Sequence, residues 1–308
     1  MNDAGSRDPA DMPVSTAEQF LSAIDGLNVW RRGSQRAPHK PLLLLLALGL
    51  VARGGARTTP FASVEKPLRD LLRRFGPPRA THHPEYPFVY LGNDGLWDIV
   101  HAQALRGRRI GRKVLLDNGV SAGFPNALFA LLRSDGRLVQ QAAQRLLDGH
   151  FPASLHQDIR DAVGLREHEV RDAPRRPRDP KFRHEVLRAY ERHCAVCGFD
   201  IRLVDDLLGL EAAHIKWHAA GGPDDVRNGL ALCGLHHKAL DRGAIGIEPT
   251  GSGFQVLISA EVNGQSEAMR WLLDYAGQAL RQPQSTEWAP DPSFVDWHRK
   301  EVFRDPPR

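Results

Sequence analysis

The sequence predicts an α+β fold of two domains, the first mainly helical with a small hairpin and the second a smaller mixed domain. The length of 308 residues is enough for two domains. Apolar residues recur at helical spacing through most of the first half. All three cysteines lie close together, within residues 194–233. The charged stretch 166–183 contains several prolines and cannot form a continuous helix or strand, so we predict a linker there, between domains at 1–165 and 184–308.

Helical patterns dominate the first domain. Ser15-Thr-Ala-Glu18 has the spacing of a capping box and predicts the start of a helix. The leucine-rich segment Lys40–Ala52 is too short to span a bilayer and is followed by glycines, which indicates a buried helix. Further helices are predicted over Phe61–Phe75, Ala127–Leu132, Gln140–Leu147 and Ser154–Val163.

A hairpin interrupts these helices in the predicted order. Two short apolar runs, Phe88–Leu91 and Leu96–Val100, flank a Gly-Asn-Asp-Gly turn, which is a strong hairpin pattern. After the cysteines, Gly253–Ile258 predicts a strand and Glu267–Leu280 an amphipathic helix. Asp291–Phe303 predicts a closing helix that packs on the second domain.

Cysteine and histidine residues in the second domain have the spacing of a metal site. Cys194 and Cys197 form a Cys-x-x-Cys pair, and Cys233 and His236 form a Cys-x-x-His pair. Together they make a closed Cys3His set, which is usual for structural Zn²⁺. A catalytic zinc keeps an open coordination position, so we predict an ion that only cross-links the fold.

Three more polar residues accompany these ligands. His214 follows an Ala-Ala pair as on a strand, Asn228 follows a Gly-Gly-Pro turn, and His237 is predicted to open a short helix that runs to Leu240. The order Cys-x-x-Cys, Ala-His-Ile, Asn-Gly-Leu, Leu-Cys-x-x-His-His resembles the HNH (ββα-metal) endonucleases over residues 184–250. The resemblance implies that His214 is the general base, that Asn228 orients its strand through backbone hydrogen bonds, and that His237 binds a catalytic divalent cation.

The ligand set for that cation departs from the family pattern. Asp241 lies one helical turn after His237 on the same face, and we expect it to be a second ligand. Many family members have a ligand immediately before the base, where this chain has Ala213. We expect Glu211 to compensate only on an irregular strand, because on a regular one it points away from His214. Such a site suits Mg²⁺ or Mn²⁺, which keep several waters.

The first domain carries groups that suit DNA. A basic cluster without an acid from Ile99 to Leu116 fits backbone phosphates, with a solvated charged loop as the alternative. Two loops rich in proline and aromatic residues suit a groove edge or a small apolar cup, with ordinary packing as the alternative. The residues are Arg106, Arg108, Arg109, Arg112 and Lys113 in the cluster, Arg79, His82, His83, Tyr86 and Pro87 in one loop, and Phe124, Pro125 and Ala127 in the other.

The Ala-Pro-His-Lys-Pro-Leu-Leu and His-Pro-Glu-Tyr-Pro-Phe runs, with the attached nuclease pattern, resemble phosphorothioate-dependent type IV restriction endonucleases over nearly the whole chain. The resemblance implies a sulfur-binding domain that recognises double-stranded DNA with sulfur in place of one phosphate oxygen. Sulfur is larger and less hydrated than oxygen, so a shallow apolar cup favours it while arginines hold flanking groups. The family's cup maps onto Phe124, Pro125 and Ala127, beside Arg79, His82 and His83, and Tyr86-Pro87 competes for the same role.

Composition is compatible with this interpretation. The isoelectric point of about 9.1 and the net charge of +4 give a mild basic bias. We expect no signal peptide or membrane segment, because Met1–Met12 is polar and the sequence has no apolar run of about 18 residues. Because the cysteines are assigned to zinc, we expect a reducing cytoplasm. Two alternatives stay open: an HNH enzyme that reads methylated cytosine through a base-flipping pocket, and a non-catalytic zinc module. Double-strand cutting would require a homodimer or two successive nicks.

Overall fold

The computed structural model describes residues 14, 16–29, 35–165 and 180–308. Ser15 of the predicted capping box and residues 166–179 of the predicted linker lie outside the described residues. Residues 180–183, which the sequence analysis included in the linker, belong to a helix that begins at Pro180. Within the described residues, no helix is long and apolar enough to cross a membrane.

The first domain is mainly helical, as predicted. Its helices are α1 (Ala17–Asp25), α2 (His39–Ala52), α3 (Phe61–Phe75), α4 (Glu85–Tyr90), α5 (Arg112–Asp117), α6 (Asn126–Ser134), α7 (Gly136–His150) and α8 (Ala153–Val163). Helix α2 lies at the centre, because Leu42–Leu46 and Leu48 are buried on all sides of it and it contacts α3, α4, α6, α7 and α8. Gly49 permits the close approach of α8, since a Cβ there would lie 2.0 Å from the carbonyl oxygen of Val163.

The start of α1 is displaced by one residue from the prediction. Thr16 is the capping residue, and its hydroxyl oxygen accepts a hydrogen bond from the Gln19 amide at 3.2 Å. The Gln19 side chain accepts from the Thr16 amide at 3.1 Å, which completes the capping box. Both Ser and Thr can cap, so the pattern alone allows either register.

The predicted hairpin is wrong. Its first half is helical, in α4 and a 3-10 turn at Leu91–Asp94, and Phe88 and Leu91 are both buried at helical spacing. Pro87 is tolerated because the first amides of a helix have no partner within it. The second half forms a strand that pairs with a distant segment, and local spacing does not reveal such a partner.

A three-stranded antiparallel sheet results from this distant pairing. Its strands are β1 (Thr58–Pro60), β2 (Asp98–Val100) and β3 (Ser121–Gly123), with β3 in the centre. In register, Ala122 lies opposite both Thr59 and Ile99. The sheet places the segment after β3, which includes Pro125, directly at the start of α6.

The second domain contains a ββα unit. Its elements in order are α9 (Pro180–Ala189), β4 (Arg202–Leu203), β5 (Asp206–Leu207), β6 (Leu210–His214), β7 (Gly229–Cys233), α10 (Gly234–Asp241), β8 (Ile245–Thr250), β9 (Gly253–Ile258), α11 (Arg270–Leu273) and α12 (Pro292–Glu301). Strands β6 and β7 are antiparallel with His214 opposite Gly229, and α10 follows β7 without a loop. Helix α10 begins at Gly234, so His237 lies in its second turn and does not open it.

The segment after the ββα unit agrees with the prediction only in part. The strand predicted at Gly253–Ile258 is β9, which pairs with β8. The helix predicted over Glu267–Leu280 is wrong, because only a 3-10 turn and the one-turn helix α11 form. Gly277, with φ of 71°, adopts the left-handed conformation that ends helices, and the chain then pairs with β9 through Leu280.

Helix α12 confirms the predicted closing helix but contacts more than the second domain. Its Val295 belongs to the apolar core of the second domain, whereas Trp297 belongs to the core of the first. Trp217 of the second domain also joins the first core and packs edge-on against Trp297 at 6.1 Å. The two domains therefore share apolar packing along α12.

Candidate functional site

Four side chains converge beneath β7 and α10 to form a metal-binding cluster. The ligand atoms of Cys194, Cys197, Cys233 and His236 all lie within 4.8 Å of one another. The Cys197 and Cys233 sulfurs are 4.0 Å apart, and the Cys194 sulfur lies 3.6 Å from His236 Nδ1. Tetrahedral Zn²⁺ at ordinary bond lengths requires about 3.8 Å and 3.6 Å for these two separations. The cluster therefore has the size and chemistry of a structural zinc site.

A backbone contact orients the histidine of this cluster. His236 Nε2 lies 2.9 Å from the carbonyl oxygen of Trp271, to which the neutral ring can donate only when Nδ1 carries the lone pair. That tautomer is the one that presents Nδ1 to the three sulfurs, and metal-binding histidines usually donate their other N–H in this way. Tyr275 packs edge-on against the ring at 5.4 Å.

His214 lies at the end of β6, where the sequence placed it. Its ring stacks on Phe182 of α9, with centroids 4.1 Å apart and an interplanar angle of 14°. Its Nε2 lies 2.7 Å from Oδ1 of Asp224, in the loop between β6 and β7. An Asp224 carboxylate that accepts from Nε2–H fixes the tautomer in which Nδ1 carries the lone pair. A group held in this way can act as a proton acceptor.

Asn228 fixes the loop that carries Asp224. Its side chain is 0% exposed. Its Oδ1 accepts from the Lys216 amide at 2.8 Å, and its Nδ2 donates to the carbonyl oxygens of Lys216 at 3.0 Å and Pro223 at 2.9 Å. Gly222 makes room for this arrangement, because a Cβ there would lie 1.9 Å from the Lys216 oxygen. The two ends of the loop are thus joined through one amide.

His237 lies on α10 between two carboxylates. Its Nδ1 is 2.5 Å from Oε2 of Glu211, and its Nε2 is 3.2 Å from Oδ2 of Asp241. Burial lowers the pKa of His237, but Asp241 and then Glu211 outweigh it, and the pKa rises to about 9. Two anionic groups around a buried imidazole make a site that favours a cation, whether a proton or a metal ion that replaces it.

The expectation that Glu211 can reach the metal site only from an irregular strand is wrong. Strand β6 is regular and pairs in register with β7, yet Glu211 reaches His237. The reason is that α10 lies on the side of Glu211 and Ala213, so the relevant neighbour is His237 and not His214. Residues 211 and 213 share a strand face because side chains alternate. Glu211 therefore lies on the same strand face as Ala213, the position where the family resemblance implies a ligand.

Asp224 and Phe182 were not predicted. Asp224 has a weak local signal, since it is an acid in the loop between His214 and Asn228. Phe182 has none, because its contact with His214 depends on the path of α9. Among the described residues, the metal-binding cluster of three or more side chains is the Cys3His set. Glu211, His237 and Asp241 instead form a chain with the imidazole in the middle.

Arg79 faces the second domain. Its guanidinium lies 2.9 Å from Oε1 of Glu301 on α12 and donates to the Lys300 carbonyl at 3.2 Å. His82 is half-buried, and burial, followed by the charge of Arg304, lowers its pKa. In this structure Arg79 thus pairs with a carboxylate of α12, and its contact with DNA stays a prediction.

The rest of that loop presents aromatic rings. His83 stacks on Tyr86 at 5.2 Å, and Tyr86 lies 6.2 Å from Tyr90, which is also exposed. Tyr86 is 38% exposed, whereas Pro87 is buried in α4. The predicted Tyr86-Pro87 element therefore presents only its tyrosine.

Phe124 is likewise not at the surface. It is 1% exposed and packs edge-on against Phe20 and Trp97, at 6.1 Å and 5.6 Å. The prediction that its ring lines a cup is wrong for this conformation, because the ring belongs to the core. Pro125 is partly exposed and Ala127 exposed, so these two residues form the accessible part of the predicted cup.

The basic cluster divides into two parts. Arg106, Arg108 and Arg109 are exposed around a 3-10 turn after β2. Arg112 instead donates to Glu65 of α3 at 2.5 Å, and Lys113 pairs with Asp117 at 2.6 Å within α5. The first part has the larger share of charge available to an external anion.

Comparisons with known proteins match both domains. Residues 17–168 match the model of the ScoMcrA-like DNA sulfur-binding domain, and residues 194–248 match an HNH endonuclease model. A search of curated proteins found no match.

Several solved structures are similar. The sulfur-binding domain of ScoMcrA complexed with phosphorothioated DNA is 28% identical with a TM-score of 0.42, and the match covers 47% of this chain and 95% of that chain. The corresponding SprMcrA complex is 25% identical with a TM-score of 0.41, covering 49% and 94%. The type IV phosphorothioation-dependent restriction endonuclease ScoMcrA is 27% identical with a TM-score of 0.40, and the match covers 47% of this chain but 32% of that chain.

Proposed function

This chain joins a ScoMcrA-like DNA sulfur-binding domain to an HNH endonuclease domain, and we propose that it is a type IV restriction endonuclease. It binds phosphorothioated double-stranded DNA with the first domain and hydrolyses phosphodiester bonds nearby with the second. The observation that carries the proposal is the presence of both domains in one chain, with His214, Asn228 and His237 on the ββα unit of the second.

We propose that His214 is the general base. With Nε2 bonded to Asp224, its Nδ1 takes a proton from water as the water oxygen attacks phosphorus and the bond to the leaving oxygen breaks. Asn228 positions this base indirectly, because it fixes the loop that holds Asp224. Phe182 holds the imidazole plane by stacking.

A catalytic divalent ion fits the group around His237. Mg²⁺ and Mn²⁺ prefer carboxylate and water ligands with few protein groups, and Glu211 and Asp241 lie on either side of the imidazole. We propose that His237 holds the ion together with one or both of these carboxylates. When bound, the ion acts as a Lewis acid that stabilises the leaving oxygen. The Cys3His cluster would hold structural Zn²⁺.

For the first domain, we propose that Pro125 and Ala127 provide the apolar surface that accepts sulfur, with Phe124 supporting Pro125 from the core. Arg106, Arg108 and Arg109 would contact flanking phosphates, which gives affinity without sequence information. The exposed rings of Tyr86 and its neighbours offer a stacking or groove-edge contact, and Arg112 and Lys113 add charge after release of their carboxylate partners.

The cellular setting is also part of the proposal. Cysteines assigned to zinc suit a reducing compartment, and we propose the cytoplasm. Each chain carries one nuclease site, so double-strand cutting requires a homodimer or two successive nicks.

The test uses the full chain with zinc bound and three matched duplexes that carry no modification, one phosphorothioate, or methylated cytosine. We expect a gel shift selective for the phosphorothioate duplex at physiological salt, and cutting of that duplex on addition of Mn²⁺. His214→Ala should abolish cutting and leave the gel shift unchanged. Equal binding to all three duplexes contradicts the sulfur proposal, and persistent cutting by His214→Ala contradicts the assignment of the base.

A further inference from the structure

A residue of the first domain reaches the nuclease site. Ser154 lies in the first turn of α8, within the region that matches the sulfur-binding domain, and its hydroxyl donates to Oδ2 of Asp241 on α10. The same Oδ2 lies 3.2 Å from Nε2 of His237. One carboxylate oxygen therefore connects a serine of the DNA-binding domain with the imidazole at the centre of the catalytic group.

Asp241 depends on these contacts. It is 3% exposed, and a buried carboxylate without hydrogen-bond donors is strongly unfavourable. Ser154 supplies a donor from one side while the imidazole lies on the other. With both in place, the carboxylate has a defined rotamer and the imidazole has a defined plane, which turns Nδ1 toward Glu211 at 2.5 Å.

Further contacts between α8 and α10 fix the position of Ser154. Lys238 Nζ donates to the Ser154 carbonyl at 2.5 Å and lies 2.9 Å from Oδ2 of Asp158. Arg242 lies 3.3 Å from the same carboxylate oxygen. Helix α8 is thus bound to α10 on both sides of Asp241, so the position of the serine hydroxyl is fixed by the domain interface.

We propose that Ser154 is a positioning residue for the nuclease: the sulfur-binding domain completes the catalytic metal site by orienting His237 through Asp241. Removal of a group that orients a metal-binding histidine in this way typically lowers metal affinity or activity by about 10- to 100-fold. The inference rests on the proposed role of His237. It adds that the affinity for the catalytic metal ion depends on the position of the DNA-binding domain.

The test measures Mn²⁺ binding without DNA, by the loss of the free Mn²⁺ electron paramagnetic resonance signal on titration of the zinc-loaded full chain. Ser154→Ala removes the hydroxyl, and we expect the dissociation constant to rise about 10-fold. Ser154→Thr keeps the hydroxyl and should restore binding to within about 3-fold of the unmodified chain. Asp158→Asn weakens the same interface but spares the hydroxyl, so its effect should stay below about 2-fold. Ser154→Cys serves as the second variant if the alanine variant does not fold.

His237→Ala separates the two levels of the proposal. If His237→Ala abolishes Mn²⁺ binding and Ser154→Ala leaves it unchanged, the positioning role is refuted and the proposed metal site stands. If His237→Ala also binds Mn²⁺ normally, the metal site itself is wrong and the inference falls with it. Equal losses in Ser154→Ala and Asp158→Asn would assign the effect to the interface in general and overturn the role of the hydroxyl. A parallel gel shift on phosphorothioated DNA should not change in any variant.

Discussion

Replacement of Asn228 by alanine should unfold the loop beside His214 and slow the cutting of DNA. The side chain is fully buried and makes three hydrogen bonds to backbone groups of Lys216 and Pro223. Each is worth about 1 kcal/mol net, so the variant should lose about 3 kcal/mol of unfolding free energy, and more where no water replaces the amide. Displacement of the loop by about 1 Å should lower the cutting rate about 100-fold, because Asp224 then no longer orients the base.

The comparison with Asn228→Asp sharpens this prediction. Aspartate is the same size and keeps the oxygen that accepts from the Lys216 amide, but it places a second oxygen against the carbonyl oxygens of Lys216 and Pro223. We therefore expect it to be at least as destabilising as alanine. Asn263, an exposed asparagine that donates to the Glu261 carbonyl, is the matched control, and Asn263→Ala should change stability by less than about 0.5 kcal/mol.

The assay is urea unfolding of the zinc-loaded chain, paired with a cutting assay on a phosphorothioated duplex. If Asn228→Ala unfolds within 0.5 kcal/mol of the unmodified chain, on the order of the surface control, the loop is held by other contacts. If it loses stability but cuts normally, the connection between the loop and His214 is refuted.

Four further predictions follow from other parts of the molecule. Asp224→Asn should lower the maximal cutting rate about 10- to 100-fold without changing the gel shift, because the neutral amide is a weaker acceptor for the His214 Nε2–H than the carboxylate; a normal rate would refute that role. Chelation of zinc from the Cys3His cluster should unfold the second domain, seen as loss of circular dichroism that returns on adding Zn²⁺. Burial lowers the pKa of His298 from the ordinary 6.5 to about 4, so the stability that its neutral form supplies is fully present above pH 6.5 and is lost as the pH falls toward 4. The free energy of unfolding should fall by about 2 kcal/mol between pH 7 and pH 5 from this group, and His298→Gln should show a correspondingly smaller loss in urea unfolding. Arg108→Ala should weaken binding to modified and unmodified duplexes equally and reduce the slope of log affinity against log salt by about 0.9, while an effect on the modified duplex alone would assign it to sulfur recognition.

Local patterns predicted the elements with strong internal signals. The central helix α2 has a run of leucines, and the Cys3His set has short fixed spacings, so both could be predicted from a few neighbouring residues. The prediction of a hairpin at 88–100 failed because β2 pairs with β3, which lies more than twenty residues further along the chain. The helix over Glu267–Leu280 failed because Gly277 and pairing with β9 outweigh an amphipathic spacing.

The proposed catalytic residues show the same division. The spacing of His214, Asn228 and His237 is a property of one ββα unit and could be predicted from the sequence. The partner of each could not, because Ser154 reaches Asp241 from a different domain and Glu211 reaches His237 only through the packing of α10 on β6. Burial of Phe124 depends on the whole first core, and no local pattern distinguishes a core phenylalanine from one in a loop that contacts DNA.

Helix α12 limits how this protein can be engineered. Val295 packs in the core of the second domain and Trp297 in the core of the first, so helix α12 stabilises both domains. A chimera that joins residues 1–165 to a foreign nuclease would lack Trp297 and expose the apolar surface it covers, and the buried Arg36 would lose its acceptor Glu301. A folded chimera that contains the first domain therefore needs α12 as well, or an equivalent tryptophan from the new partner domain.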